Sequence, residues 1–315
     1  MRNAGLFLAA ATLVAMAAGV VWASGLAGSG DSDSAATVTT PAVLSGSSPP
    51  PVSGAAAATP THPAPTPAGT PVTVPFELPI FMYHHVSPSF PADQLTANLT
   101  VLTSDFEDQL AYLKCAGYTG ITMKQLFDHI SGGAALPAHP VILTFDDGYD
   151  DAYTGAFPLL QQYGFAGSFA IVTGFIEAGG PFLTWAQMTT MAGAGMEMMS
   201  HSVSHPDLGT SDDATVRDQI AASRAALEQH LGGKIEFLVY PSGEPFRSNT
   251  VQRQQEVVQM LKAAGYRGAL LAGPNSLTQD PATPFALNRV RVSGGEGLAT
   301  YAGSIGGPPP SSLHC

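Results

Sequence analysis

Pro140-Val141-Ile142-Leu143-Thr144-Phe145-Asp146-Asp147-Gly148 decides how this chain folds. A continuous apolar run from Val141 to Phe145, opened by a proline and closed by a polar cluster, is the pattern of a parallel strand covered on both faces. Asp146 and Asp147 follow at once, and carboxylates have no place in an apolar core unless they are paired or working. Successive side chains diverge at a turn after a strand. One carboxylate can therefore hold a metal while its neighbour takes a proton from water. The competing reading is an Asp-Asp-Gly turn whose carboxylates only cap backbone amides.

Outward from this strand, short apolar runs alternate with longer helical patterns. Upstream, Ser104 and Glu107 have the spacing of a capping box before a helix that aligns Phe106, Leu110 and Leu113, and Gly117 supplies its stop. A strand is expected at Tyr118–Met123 and a short helix at Lys124–Ile130. Downstream the pattern predicts a helix over 152–163, a strand at Phe165–Val172 and a helix opened by a Thr184/Gln187 capping box. Strands at Met196–Met199, Ile235–Tyr240, Arg267–Leu271 and Ala286–Val292 follow, with helices near 212–230 and 249–264 between them. Repeated βα units imply a parallel sheet. The expected fold is α/β, a distorted (β/α)7-type barrel in a single catalytic domain, with polar residues at strand ends converging on one mouth.

A second polar cluster lies after the strand Met196–Met199. Ser200-His201-Ser202-Val203-Ser204-His205-Pro206 sets two imidazoles four residues apart, a spacing that lets both face one ion if the segment is helical. Residue 202 is Ser where a zincin would have Glu, so a base must come from elsewhere, and Asp146 is the obvious source. Two histidines and one carboxylate with an open fourth position make a hydrolytic metal site.

Composition bounds the rest. Among 315 residues there are only 12 Lys and Arg against 24 Asp and Glu, a net charge of -12, so nucleic acid is not an expected partner. Residues 1–24 carry an apolar run from Leu6 to Ala23 behind Arg2, with small residues after it. They read as a signal peptide or, uncleaved, a membrane anchor. Residues 25–75 are rich in Pro, Ala, Thr and Ser and read as a disordered tether. The catalytic domain is expected at 76–301, and 302–315 as a disordered tail. The protein is expected to be exported, whether periplasmic, envelope-attached or secreted, and to be monomeric. Of the two cysteines, Cys115 is expected to pack beside Leu113 and Cys315 to lie free, with one disulfide as the alternative.

Thr144-Phe145-Asp146-Asp147-Gly148-Tyr149 and His201-Ser202-Val203-Ser204-His205-Pro206 resemble, in order and spacing, the first two motifs of the polysaccharide deacetylases, carbohydrate esterase family four. The resemblance covers about residues 78–292. It implies that Asp146 is the general base and that Asp147, His201 and His205 bind a divalent metal, with Zn²⁺ first and Co²⁺ or Ni²⁺ as substitutes. It also implies an oxyanion donor from a backbone N–H near Tyr240, in Tyr240-Pro241-Ser242-Gly243. The chain departs from the family in lacking the third-motif Arg before Tyr240 and the late Leu-x-His. It has instead Phe81-Met82-Tyr83-His84-His85-Val86 and Asn288-Arg289-Val290-Arg291-Val292.

That arrangement is similar to the branch containing the biofilm poly-N-acetylglucosamine deacetylases, where the acid histidine follows a tyrosine on the first strand. It implies that His84 is the acid and that Arg289, or else Arg291, stands beside Asp146. His85 is taken as the structural member of its pair. Trp185, Phe182 and Phe246 are candidates for stacking on sugar rings or for core packing. The expected activity is removal of N-acetyl groups from an extracellular N-acetylglucosamine-containing polysaccharide. An O-acetyl esterase acting on xylan, and a silent glycan-binding protein favoured by the missing Arg, are the alternatives.

Overall fold

The computed structural model describes residues 71–308 together with Gly69, Leu313 and Cys315. The signal and most of the tether, 1–68, lie outside the described residues, and no described helix is long and apolar enough to cross a membrane.

Among the described residues, seven strands form the continuous path of an eight-stranded parallel sheet: β1 (Ile80–Tyr83), β2 (Pro140–Phe145), β3 (Ser168–Ile171), β4 (Glu197–Ser200), β5 (Phe237–Val239), β6 (Gly268–Leu270) and β7 (Val290–Arg291). Their order is β6-β5-β4-β3-β2-β1-β7. The segment leading into β7 reaches both edges: Leu287 pairs with Leu270 of β6, and Val290 pairs with Phe81 of β1. The sheet is therefore curled toward the barrel that the βα repetition implies. Strands β1 to β6 are short and nearly fully buried, because helices cover the outer face of the sheet and its inner face packs on itself, whereas β7 exposes Arg291.

The helices that matter here are α1 (Thr103–Cys115), α2 (Met123–Ile130), α3 (Phe157–Tyr163), α4 (Trp185–Gly193), α5 (Asp213–Leu231), α6 (Val251–Ala263) and α7 (Leu298–Ser304). The Thr184/Gln187 capping box forms as expected, and Thr122 with Gln125 makes another at the start of α2. The box expected from Ser104 and Glu107 does not. That helix begins two residues earlier than Ser104 as N-cap would place it, at Thr103, and its N-cap Leu102 has no side-chain cap. Only Thr119–Gly120 of the expected strand at 118–123 pairs with β2, because the capping box at Thr122 claims the following residues for α2. The expected helix over 152–163 divides into a π-helical turn, Ala152–Ala156, and α3.

The C-terminal end differs most from expectation. α7 runs to Ser304, past the expected domain edge at 301, and Tyr301 and Ala302 are core residues. Cys115 and Cys315 are joined in a disulfide with 5.4 Å between their Cα atoms, so neither thiol is free. A separation of 200 residues hides such a pair from any local pattern.

Candidate active site

His84, Asp146, Asp147, His201 and His205 all follow the C-terminal ends of sheet strands, whereas Arg289 immediately precedes β7. The β2 register pairs Tyr83 with Phe145, and the Asp146 amide donates to the Tyr83 carbonyl at 2.9 Å. That extra ladder bond brings the ends of β1 and β2 together, so His84 and the two aspartates leave the sheet side by side. Asp147 and Gly148 then take left-handed backbone, φ 71 and 78. Glycine adopts this freely; at Asp147 it is strain, which separates the two carboxylates in direction.

Asp146 is 3 % exposed and faces Arg289, which is fully buried. The guanidinium donates from Nη1 to Oδ1 and from Nη2 to Oδ2, both at 2.8 Å. It also donates to Thr144 Oγ1 at 3.0 Å and, from Nε, to the Leu271 carbonyl at 2.6 Å. Thr144 completes the array by donating to the Phe81 carbonyl at 2.6 Å. Burial pushes the Asp146 carboxyl up, but the charge and paired hydrogen bonds of Arg289 outweigh it and hold the group below the usual carboxylate range. The arginine thus comes from the residue just before β7, a place the sequence indicated, and Arg291 is exposed.

Asp147, His201 and His205 converge. Asp147 Oδ1 lies 3.4 Å from His201 Nε2 and 3.6 Å from His205 Nε2. His201 extends the β4 ladder through its amide to Ile171, and its Nδ1 is 2.8 Å from the Val239 carbonyl, which leaves Nε2 for the site. The two histidines are not on a helix, as their spacing had suggested. Residues 201–206 form a loop in which Ser202 and His205 have φ of 68 and 56. Ser202 Oγ accepts from the His205 amide at 3.0 Å, and Gln219 Oε1 accepts from the amides of Val203 and Ser204, both at 2.9 Å. These bonds fold the loop back so that both rings face Asp147.

The fit to a metal can be judged from the donors. Tetrahedral coordination at about 2.0–2.1 Å separates neighbouring ligand atoms by roughly 3.3–3.4 Å. The Asp147 distances to both histidines are close to that, and all three donor atoms lie within 4.8 Å of one another. Asp147 is held well below the usual carboxylate range because the facing imidazoles outweigh its burial. The residues therefore suit a divalent ion with one open position.

His84 is held in the same cluster. Burial pushes its imidazole down, against the pull of Asp146 and Asp147, and among the described residues its buried Nδ1 has no hydrogen-bond partner. Tyr240 does not serve as expected. Its amide donates to the Leu270 carbonyl at 3.1 Å and its hydroxyl to the Phe285 carbonyl at 3.0 Å, so both groups are committed to the fold. Any oxyanion donor here must come from the residues after it, where Ser242 turns with φ 54.

Of the aromatic candidates, Trp185 stacks on His230 at 3.8 Å, Phe182 on Tyr149 at 5.3 Å, and Phe246 lies 5.1 Å from Tyr240. Each is at least partly occupied by the protein's own packing. Sequence reasoning missed Thr144, which looks like one more strand residue. It also missed the pair formed by His85 Nδ1 and Asp151 Oδ2 at 2.7 Å, over which Tyr149 stacks at 3.7 Å.

Comparison with known proteins agrees with this geometry. The sequence profile described as polysaccharide deacetylase matches residues 133–269. YxkH of Bacillus subtilis (strain 168), provisionally named a polysaccharide deacetylase, is 27 % identical over 231 residues, covering 73 % of this chain and 77 % of its own. The poly-beta-1,6-N-acetyl-D-glucosamine N-deacetylase of Escherichia coli (strain K12) is 31 % identical over 119 residues, 33 % of this chain and 18 % of that longer protein. Among solved structures, the Streptococcus pyogenes deacetylase PplD in complex with acetate superposes with a TM-score of 0.66 at 26 % identity, over 73 % of this chain and 99 % of that one. Profile, relatives and fold agree that residues 133–269, which hold both motif segments, lie in a polysaccharide deacetylase domain of carbohydrate esterase family four, a hydrolase acting on carbon–nitrogen bonds.

Proposed function

We propose that this deacetylase removes N-acetyl groups from an N-acetylglucosamine-containing polysaccharide outside the cytoplasm, releasing acetate, with Asp146 as general base and His84 as general acid. The observation that carries the reading is the bidentate Arg289–Asp146 pair beside the Asp147–His201–His205 cluster. It separates two adjacent carboxylates into one fixed for proton transfer and one aimed at a cation. Asp147, His201 and His205 would hold the ion, zinc first with cobalt or nickel suited to the same donors, and when bound it would polarise the acetyl carbonyl and acidify a nearby water.

Each Asp146 oxygen accepts one bond from Arg289 and keeps a second lone pair. Ionised and fixed, that carboxylate takes a proton from the attacking water. His84 then gives a proton to the departing glucosamine nitrogen, without which a free amide anion would have to leave. Water's oxygen and one of its protons end in acetic acid and its other proton on Asp146; the amine's new proton comes from His84, which is restored by the proton that Asp146 gives up, so the step balances.

Arg289 answers the feature that favoured a silent binding protein, because it takes the place of the arginine missing before Tyr240 from just before β7. Export is supported by the N-terminal pattern and by the Cys115–Cys315 disulfide, which belongs to an oxidising compartment. The test is acetate release from chitooligosaccharides, poly-N-acetylglucosamine, peptidoglycan and acetylxylan, with and without chelator. Chelator-sensitive release from the amide-bearing glucosamine polymers is expected. Release from acetylxylan alone would replace the reading with an O-acetyl esterase.

A further inference from the structure

The proposed acid has no side chain to orient it. Nδ1 of His84 is buried and no described protein group bonds to it, whereas His201 is held through its second nitrogen by the Val239 carbonyl. A general acid works only if its ring is aimed at the leaving group, so the aim of His84 must come from the backbone that carries it. That backbone is the end of β1, and what grips it is the C-terminal end of the chain.

Tyr83, the residue before His84, is fully buried with its ring stacked on Phe145 at 5.2 Å and set edge-on against Phe106 of α1 at 5.2 Å. Its hydroxyl donates to Gln109 Oε1 of α1 at 2.9 Å and lies 3.2 Å from the Tyr301 hydroxyl of α7. Tyr83 has one proton, which goes to the glutamine oxygen, so Tyr301 supplies the other bond. Tyr301 also stacks on Phe81 of the same strand at 4.5 Å. One side chain of α7 therefore touches β1 at two alternate residues.

α7 is in turn tied to α1 beyond Tyr301. The Tyr112 hydroxyl donates to the Pro308 carbonyl at 3.2 Å, Gly307 donates to Ala302 at 2.9 Å, and Cys115 at the end of α1 is bonded to Cys315. A side chain at position 307 would meet the Tyr112 hydroxyl and push it aside, so glycine there leaves room for the Tyr112 contact. Gln109, Tyr112 and Cys115 are thus three successive anchors on one helix, the first holding Tyr83 and the other two holding the strap that carries Tyr301.

We infer that the C-terminal strap, α7 latched to α1 by the Cys115–Cys315 disulfide, is a clamp on the end of β1, and that Tyr301 and Tyr83 are positioning residues for the acid His84. The inference rests on the proposed acid role of His84. Reduction of the disulfide loosens the strap and weakens deacetylation without touching the base or the metal ligands.

The test uses the difference between leaving groups. An amide needs a proton on its nitrogen as it leaves, whereas 4-nitrophenyl acetate releases a stable anion and needs none. Full-length zinc-loaded protein is assayed on both an N-acetylglucosamine oligomer and this ester. His84→Asn is expected to lower kcat on the amide about a hundredfold or more, by a larger factor than on the ester. Tyr301→Phe, which keeps the ring on Phe81 and loses the hydroxyl, and Cys315→Ser are each expected to lower amide kcat roughly tenfold, with KM, zinc content and ester hydrolysis unchanged. Unaltered ester turnover certifies that the strap variants are folded at the assay temperature. If His84→Asn leaves the amide-to-ester ratio unchanged, the acid assignment is wrong. If His84→Asn shifts the ratio and both strap variants leave it unchanged, the clamp is refuted while the acid assignment stands.

Discussion

Replacing Arg289 by Met removes the guanidinium while keeping an unbranched stem, and it leaves the 3 %-exposed Asp146 carboxylate with no cation beside it. Breaking a buried pair by deleting one partner costs about 3–5 kcal/mol. At about 2–4 °C per kcal/mol for a domain of this size, Tm should fall by roughly 6–20 °C near neutral pH. The pH dependence fixes the cause. In the native protein Asp146 titrates below its unfolded value, so its stabilising contribution is present above about pH 4 and is lost as pH falls through the folded value.

In the variant, burial is opposed only by His201 and His84, so the folded value rises and acidification costs the folded state less than it costs the native protein. The deficit in Tm should therefore be larger at pH 8 than at pH 4. Adding Asp146→Asn removes the charge and should recover more than half of the loss. Calorimetric melts of native, Arg289→Met and the double variant measure all three quantities. A deficit under about 2 °C at pH 8, or additive effects in the double variant, would refute the argument that Arg289 exists to hold an ionised base.

His205→Ala and Asp147→Ala should each weaken zinc binding more than about a hundredfold, exceeding the loss typical of outer-shell changes, when measured by competition with a chelator; retention of one tightly held zinc would contradict the ligand set. Glu197, whose carboxyl burial pushes up to about 7 against bonds from Ser168 and the α2 amides of Met123 and Lys124, contributes stability that is present below about 4.5 and lost as pH rises through 7. Glu197→Gln should flatten the decline of Tm across that window, and an unchanged slope would count against it. Cys115→Ser opens a crosslink spanning 200 residues, worth about 5 kcal/mol on chain entropy, and should lower Tm by roughly 10–20 °C; a change under 2 °C would mean the unfolded chain gains little from the crosslink's removal.

The sheet was legible because its strands are buried on both faces, which turns each into an apolar run such as Val141–Phe145. The site was legible because its polar clusters interrupt those runs at strand ends. What escaped depends on contacts far apart in sequence. Thr144 serves Arg289 across 145 residues, and Tyr83 meets Tyr301 across 218, where no local period carries information. The last turn of α7, 302–304, was read as tail because glycines and prolines follow it, although Ala302 is fully buried. The four-residue spacing of His201 and His205 suggested a helix, yet serine hydroxyls and two left-handed residues bring the rings together without one. At Tyr240 a strand end predicted a free amide, and the neighbouring strand β6 consumed it.

The central claim is that Asp146, poised beside a cation held by Asp147, His201 and His205, takes the proton from water. Its most direct test is acetate release from N-acetylglucosamine oligomers by Asp146→Asn carrying a full complement of zinc. The account requires a fall in kcat of about 10²–10⁴-fold at unchanged metal content. Release at the native rate, with the metal in place, would contradict it.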